Sequence, residues 1–358
     1  MTGRWRRALP LSIAALVVGC GSGARSGVPD ARPTPPADFL YRALTHVSFW
    51  HDGYLGSEAE SARRLLAPST GATWAGVLVT WYMDGRRSPA LGPDPLRTPS
   101  DDAVVAAIRD LHALGLNVML KPHVDVKDGS WRGTIAPADT DAWFSSYDAF
   151  LARCADLAEA HGVEMLDVGT ELATMSDARF APVWAALIAR VRSRYRGPLT
   201  YSASANAPGD EFTSVAFWGL LDVAGLDVYV PLTGRDDPTR DELVSAWTDN
   251  VNGHDMVAAY RNWQGSLGMP VVFTEIGYRS VSGTNRAPYD LTFQGPEDPQ
   301  EQADCFEAAF TVWARESAWM KGVFVWNWPA TTPPPGDTDY TPRGKPAEAV
   351  LRKWMSGP

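Results

Sequence analysis

The feature that most constrains the fold of this chain is the alternation of short apolar runs with longer amphipathic segments. Eight runs have the length and composition of β-strands, at residues 44–50, 74–81, 116–122, 163–171, 198–202, 223–230, 271–275 and 322–327. Segments of helical periodicity lie between them, at residues 101–114, 143–161, 181–195, 242–263, 301–319 and 346–354. The crossover at residues 211–219 has the weakest helical pattern. Because strands that alternate with helices pair in parallel, the pattern predicts an α/β chain folded as a (β/α)8 TIM barrel.

The N-terminus has the pattern of an export signal rather than of a folded element. Three arginines lie within the first seven residues, and residues 8–19 form an apolar stretch that is too short to span a membrane. The stretch ends in Val-Val-Gly-Cys, which is similar to the lipobox of bacterial lipoproteins. We expect residues 1–19 to be a lipoprotein signal peptide and Cys20 to carry the lipid. An ordinary secretory signal cut near Ala24 is the alternative.

The rest of the chain reads as a tether followed by one domain. Residues 20–38 are rich in Gly, Ser and Pro and predict a flexible tether, which leaves residues 39–358 as the barrel domain. The net charge of −10 is unfavourable for binding nucleic acid or an anionic membrane surface. We therefore expect an exported monomer that contacts a membrane only through its lipid, at the cell surface or facing the periplasm, with no nucleic-acid partner.

The cysteines give no indication of a disulfide or of a zinc centre. Cys154 and Cys305 lie in helical patterns far apart in the sequence, and we expect both to be buried free thiols. No Cys/His cluster has the spacing of a zinc site. We expect no metal and no cofactor.

Two of the predicted strands end at a glutamate. Residues 168–171 read Val-Gly-Thr-Glu, and residues 273–277 read Phe-Thr-Glu-Ile-Gly. An unpaired buried charge is costly, and the carboxyl ends of barrel strands meet at the face that holds active sites. Glu171 and Glu275 are therefore expected to meet there as the pair of carboxyl groups that cleaves a glycosidic bond. The 15 tryptophans suit both core packing and stacking on sugar rings.

Five short segments, in a fixed order along the chain, carry a family resemblance. They are residues 120–125 (Leu-Lys-Pro-His-Val-Asp), 131–133 (Trp-Arg-Gly), 168–172 (Val-Gly-Thr-Glu-Leu), 273–278 (Phe-Thr-Glu-Ile-Gly-Tyr) and 341–347 (Thr-Pro-Arg-Gly-Lys-Pro-Ala). Together they resemble glycoside hydrolase family 113, the retaining β-mannanases of a large clan of (β/α)8 glycosidases. The resemblance implies that Glu171 is the general acid/base and Glu275 the nucleophile of a double displacement on β-1,4-mannan. Retention of configuration requires the two carboxyl groups to lie about 5–5.5 Å apart.

The expected substrate-binding residues lie at the ends of strands and are Trp81, Lys121, His123, Thr170, Asn206, Tyr229 and Trp326. Tyr229 is the expected hydrogen-bond donor to Glu275, and Trp326 is the expected floor for the sugar at the cleavage point. Most members of the clan have Asn before the acid/base, where this chain has Thr170. We expect the shorter side chain to be compatible with the axial 2-hydroxyl of mannose.

Three alternatives to a mannanase remain open at this point. The first is a β-glycosidase of the same clan with another sugar specificity. The second is a non-catalytic surface barrel that binds carbohydrate. The third is a metal-dependent hydrolase, since His123 and Asp125 form a His-x-Asp at a strand end.

Overall fold

A computed structural model of the chain describes residues 38–357. The predicted signal peptide and the predicted lipid attachment at Cys20 lie outside the described residues. So does the predicted tether, except for its last residue. No helix within the described part of the chain is both long and apolar enough to cross a membrane.

Eight strands close into a parallel barrel in sequence order, with β8 hydrogen-bonded to β1. The strands are β1 (Tyr41–Val47), β2 (Trp74–Met83), β3 (Asn117–Val126), β4 (Met165–Thr170), β5 (Leu199–Ser204), β6 (Ala224–Val228), β7 (Val271–Ile276) and β8 (Met320–Pro329). All eight predicted strands are present, and the predicted TIM barrel is confirmed.

Helices on the outside of the barrel connect most of the strands. They are α1 (Ser57–Thr70), α2 (Asp101–Ala113), α3 (Thr140–Ala160), α4 (Ala181–Arg194), α5 (Arg240–Ser245), α6 (Met256–Leu267), α7 (Pro299–Trp313) and α8 (Pro346–Met355). Their sequences carry the expected start signals. In α2, for example, the Ser100 side chain accepts a hydrogen bond from the Ala103 N–H, and two aspartates occupy the positive end of the helix dipole.

Two of the predicted crossovers differ from the structure. The helix predicted over residues 242–263 is two helices, α5 and α6. The Asn250 side chain accepts hydrogen bonds from the N–H groups of Asn252 and His254, and Asp255 then caps α6. A side chain that bonds to nearby backbone in this way competes with a continuous helix. After β5, short 3-10 turns at Glu211–Thr213 and Trp218–Leu220 replace a regular helix.

The barrel interior is apolar at one end and polar at the other. The apolar end is filled by residues in or just before the N-terminal halves of the strands, namely Tyr41, Ala43, Met119, Met165, Val223, Val272 and Phe324. Further along β3, the side chains alternate as the pleat requires, so Lys121 and His123 follow Met119 into the interior. The charged residues are thus concentrated at the carboxyl ends of the strands, where barrel enzymes hold their active sites.

Ten of the 15 tryptophans belong to the apolar core between the helices and the barrel strands or pack against it. Trp143, Trp184, Trp247 and Trp313 are fully buried among helices and the outer faces of strands. Cys154 and Cys305 are buried free thiols, as the sequence predicts.

Candidate active site

Glu275 lies near the end of β7, faces the barrel interior and is 4% exposed. The Tyr229 hydroxyl, from just beyond β6, donates to its Oε2 over 2.7 Å. Its Oε1 lies 3.3 Å from Lys121 Nζ and 3.3 Å from His123 Nε2. Neither of these two contacts is aligned as a hydrogen bond. Glu275 is therefore held by one hydrogen bond and by charge attraction from β3.

The ammonium group of Lys121 is the centre of a buried polar cluster directly beneath Glu275. Its side chain is fully buried, and Nζ donates to Ser202 Oγ over 2.8 Å. Nζ also lies 3.5 Å from Asp167 Oδ2 and 3.4 Å from Asp227 Oδ1. The burial of Lys121 places it too deep to touch a sugar, so the expectation that it binds substrate is corrected. It acts on Glu275 instead.

The surroundings of Glu275 keep it ionised. Burial alone would raise the pKa of this carboxyl, but the positive charge of Lys121, the His123 contact and the Arg132 guanidinium together lower it to about 2. Burial and the charge on Glu275 raise the pKa of Asp227 well above its usual range. Of the carboxyls around Lys121, Glu275 is the one that holds its negative charge most firmly.

Glu171 follows the last residue of β4 and has the opposite environment. It is 8% exposed, and its φ of 48° makes it the only non-glycine residue with positive φ in the described chain. This left-handed conformation costs on the order of 1–3 kcal/mol. The Glu171 N–H donates to Ser202 O over 2.7 Å, which holds the turned backbone in place. The unusual backbone directs the side chain toward the barrel mouth.

Two donors from the loop after β3 meet the Glu171 carboxyl on the same oxygen. Trp131 Nε1 and Arg132 Nη1 each lie 3.2 Å from Oε2. Burial raises the pKa of Glu171 above its usual value, the Arg132 guanidinium opposes that rise, and the negative charge of Glu275 adds to it. The pKa values of the two glutamates are thus shifted in opposite directions, and Glu275 is the stronger acid. Carboxyl pairs separated in this way can divide the roles of nucleophile and proton donor.

An aromatic surface lies on the Glu275 side of the site. Trp326, on β8, is half-buried and stacks on the His123 ring with 5.7 Å between ring centroids and an interplanar angle of 4°. His123 is 1% exposed, so its ring supports Trp326 from below. The sequence-based expectation that His123 contacts a sugar is corrected, because almost none of its surface is accessible. Burial lowers the pKa of His123 to about 4, and the ring is neutral at neutral pH.

Asn206 and Tyr229 are joined at the mouth of the barrel. Asn206, two residues past the end of β5, is half-buried, and its Oδ1 accepts a hydrogen bond from the Tyr229 N–H over 2.6 Å. Its Nδ2 lies 3.3 Å from Ser204 Oγ. The amide of Asn206 therefore orders the backbone that carries Tyr229.

Trp81 and Thr170 lie away from the cleft, and both expectations are corrected. In β2, Trp81 pairs with Val124 of β3, and its ring stacks on Phe150 of the helix layer with 4.7 Å between centroids. The neighbouring Tyr82 pairs with Asp125 and takes the inward position instead. Thr170 is 1% exposed, and its hydroxyl lies 3.1 Å from Pro122 O inside the protein, where it cannot reach a sugar 2-hydroxyl.

Four residues of the site were given no specific role from the sequence. Trp131 and Arg132 belong to a segment that resembled the family, but they lie on a loop without periodicity that would predict which carboxyl they contact. Asp167 and Asp227 are inward positions of β4 and β6, and their strand alternation is the signal that could have placed them beneath the site. Within residues 38–357, no group of three or more His, Cys, Asp or Glu side chains is arranged to hold a metal ion.

Comparison with known proteins gives a family-level match. Residues 47–345 match the profile of Glycoside Hydrolase Family 113. None of the curated proteins compared matches the chain by sequence.

Two solved structures are similar over nearly the whole barrel. The GH113 β-mannanase AaManA from Alicyclobacillus acidocaldarius, in complex with ManMIm, is 30% identical, with a TM-score of 0.78 over 89% of this chain and 97% of that one. A GH113 β-1,4-mannanase in a complex structure is 26% identical, with a TM-score of 0.78 over 89% of this chain and 99% of that one. A family 5 mannosidase from Rhizomucor miehei, with mannosyl-fructose, is 12% identical with a TM-score of 0.57 over 89% of this chain and 92% of that one, and shares the fold.

The opposite environments of the two glutamates predict opposite effects on stability when each is made neutral. Because the folded-state pKa of Glu171 is raised, its ionisation costs stability, and Glu171→Gln should unfold at a higher urea concentration than the wild type at pH 7. This gain should shrink as the pH falls toward the usual carboxyl value of 4.5 and disappear below it, where Glu171 is protonated in both states. The folded-state pKa of Glu275 is lowered to about 2, so Glu275→Gln should be less stable than the wild type at pH 7.

Urea midpoints for the wild type and both variants, measured between neutral and strongly acidic pH, check this expectation. The deficit of Glu275→Gln should shrink as the pH falls from 4.5 toward 2, where the stability supplied by an ionised Glu275 is lost. Equal destabilisation by both substitutions at neutral pH would contradict the assignment of opposite environments.

Proposed function

The chain belongs to glycoside hydrolase family 113 and is a retaining glycoside hydrolase, and on this basis we propose that it cleaves β-1,4-mannosidic linkages with Glu275 as nucleophile and Glu171 as acid/base. The observation that carries the proposal is the opposed environment of two strand-end glutamates. Glu275 contacts Lys121 and Tyr229, whereas burial and the charge of Glu275 raise the pKa of Glu171. A nucleophile must be ionised, and a proton donor must hold its proton.

In the first half of the reaction, the Glu275 carboxylate attacks the anomeric carbon of the mannosyl unit. The bond from that carbon to the glycosidic oxygen breaks, and Glu171 transfers its proton to the departing oxygen. The products of this half are a free sugar hydroxyl on the leaving group and a glycosyl ester on Glu275. Lys121 and Tyr229 keep the attacking carboxylate ionised and oriented.

In the second half, a water molecule replaces the leaving group. The ester on Glu275 carries no negative charge, so one of the causes that raise the pKa of Glu171 is removed. Glu171 can then accept a proton from the water, which attacks the anomeric carbon and releases the Glu275 carboxylate. Two displacements at one carbon retain its configuration.

Several observations support a neutral polysaccharide of mannose as the substrate. The two GH113 structures that resemble this chain are β-mannanases, one of them in complex with ManMIm. The half-buried ring of Trp326 lies beside Glu275 and His123, where an apolar sugar face could stack. A chain with a net charge of −10 suits an uncharged polymer better than a polyanion.

Removing each glutamate separately should identify its role. Glu171→Ala should lose activity on manno-oligosaccharides by at least about a thousandfold, yet keep most of its kcat/KM on 2,4-dinitrophenyl β-mannosides, whose leaving group needs no proton. Its kcat on the aryl substrate should fall, because no base remains to activate water for hydrolysis of the glycosyl ester. Sodium azide should restore its turnover of the aryl substrate and give a β-mannosyl azide. Glu275→Ala should be inactive on both substrates, and azide should give an α-mannosyl azide by a single displacement.

Product configuration, followed by proton NMR, distinguishes the outcomes. The wild type should release the β-anomer first. A matched control is Glu307→Gln, which changes a buried carboxyl of the helix layer that accepts hydrogen bonds from Lys353 Nζ and Trp354 Nε1 and is not part of the catalytic pair. Its effect should be the same on oligosaccharide and aryl substrates. Initial release of the α-anomer, or a Glu275→Ala variant with near-wild-type activity, would overturn the assignment.

We also propose that the protein is exported and anchored by a lipid on Cys20. The support is the order of three N-terminal arginines, a short apolar stretch and Val-Val-Gly-Cys at residues 17–20. In a bacterial host fed an alkyne-labelled fatty acid, the wild type should incorporate the label and sediment with membranes. The Cys20→Ala variant should incorporate no label. A wild-type product that is unlabelled and begins after Ala24 would support the ordinary secretory signal instead.

A further inference from the structure

The loop after β3 contains a segment, Trp131 to Gly133, that lies against the proton donor Glu171. Arg132 is fixed at three points: its Nε donates to Val124 O over 3.1 Å, its Nη2 to Asp125 Oδ1 over 2.6 Å, and its Nη1 to Glu171 Oε2 over 3.2 Å. The Gly133 carbonyl accepts hydrogen bonds from both the N–H and the hydroxyl of Thr174, on the loop after β4. The segment is therefore held to the end of β3, to Glu171 itself and to the loop after β4.

Gly133 allows the Trp131 ring to lie flat on the backbone. A Cβ atom at Gly133 would lie 2.3 Å from Trp131 Cη2 and 2.5 Å from two other ring carbons. Real Cβ contacts are never so short, so only glycine at this position permits the observed ring orientation. One face of the indole is covered in this way, while the residue as a whole stays 48% exposed. A large aromatic ring with one fixed face and one open face is suited to stacking on a sugar.

The two donors of the segment also determine which oxygen of Glu171 can carry the proton. Trp131 Nε1 and Arg132 Nη1 both point at Oε2, and Oε1 accepts no hydrogen bond from the described residues. An oxygen that accepts two N–H donors is the carbonyl oxygen of the protonated acid. The proton must then reside on Oε1, and the Glu171 side chain keeps 11% of its surface exposed for contact with the glycosidic oxygen.

From this geometry we propose that Trp131 binds the leaving-group sugar on its open face and, with Arg132, positions Glu171 so that Oε1 delivers the proton. The glycone must contact Glu275 and its neighbour Trp326, whereas the leaving group departs from the side of Glu171. Trp131 hydrogen-bonds Glu171 directly, so its open face belongs to the leaving-group side. The proposal rests on the proposed glycosidase mechanism and adds the residue that recognises the sugar beyond the cleavage point.

Two substrates separate a role at the leaving group from a merely structural one. Mannotetraose has a sugar as leaving group and needs protonation, whereas 2,4-dinitrophenyl β-mannobioside needs neither a leaving-group sugar nor a proton. Trp131→Ala should lower kcat/KM for mannotetraose by about a hundredfold and for the aryl substrate by less than about threefold. Trp131→Phe keeps the stacking surface but loses the N–H donor, so about a tenfold loss on mannotetraose is expected, mainly in kcat.

Glycine variants test the same geometry without changing Trp131. Gly133→Ala should displace the indole ring and reproduce the substrate-selective loss of Trp131→Ala. The matched control is Gly265→Ala, on the exposed surface of α6, where an added Cβ meets no atom within 4 Å. This control should retain full activity on both substrates. Thermal melting of every variant verifies that the barrel is folded.

Losses confined to mannotetraose support the proposal, whereas equal losses on the two substrates, or no loss on mannotetraose in Trp131→Ala, overturn it. If the wild type cleaves neither mannoside, the proposed sugar specificity fails. The same variants compared on the oligosaccharide that it does cleave, and on the matching dinitrophenyl glycoside, then still decide whether Trp131 serves the leaving group.

Discussion

The site depends on one buried positive charge. Lys121 lies inside the barrel with no exposed surface, and its ammonium group lies within 3.5 Å of three carboxyl groups, from β4, β6 and β7. Burying a charge without partners would be prohibitive, and burying Glu275 without a nearby cation would neutralise it. Lys121 thus makes it possible for a strand-end carboxylate to be both buried and ionised. The apolar layer beneath it closes the barrel, and the polar layer above it holds the chemistry.

The positive charge of Lys121 also affects the pKa of Glu171, indirectly through Glu275. Because Lys121 and His123 hold Glu275 in its ionised form, a permanent negative charge faces Glu171 and raises its pKa together with burial. Arg132 opposes that rise and, by its position, orders the carboxyl. Residues on different strands therefore keep Glu275 ionised as the nucleophile and Glu171 protonated as the acid. Formation of a glycosyl ester on Glu275 would remove its charge and release Glu171 for its second role.

The fold was predictable from sequence to a greater extent than the site. Eight strand-like runs alternating with helices leave few architectures other than a closed parallel barrel. Glutamates at strand ends indicated which end of that barrel holds the active site. How deeply each inward-facing side chain is buried was not predictable. Lys121 and His123 share the inward face of β3 with residues at the barrel mouth, and only the assembled structure shows which of them are covered. Trp81 was misplaced because one residue of register turns a side chain from the interior to the helix layer. Trp131 lies on a loop, where no periodicity relates sequence to position.

The central claim is that Glu275 is the ionised partner and that its charge raises the pKa of Glu171. The most direct test is a pH titration by NMR of the 13C-labelled carboxyl carbons of both glutamates, repeated after Glu275 has been esterified by a 2-deoxy-2-fluoro-mannosyl inhibitor. We predict that in the free protein Glu275 titrates near pH 2 and Glu171 above 4.5, and that the pKa of Glu171 falls in the ester. If both carboxyls titrate at their ordinary values, or if esterification leaves Glu171 unchanged, the account is contradicted.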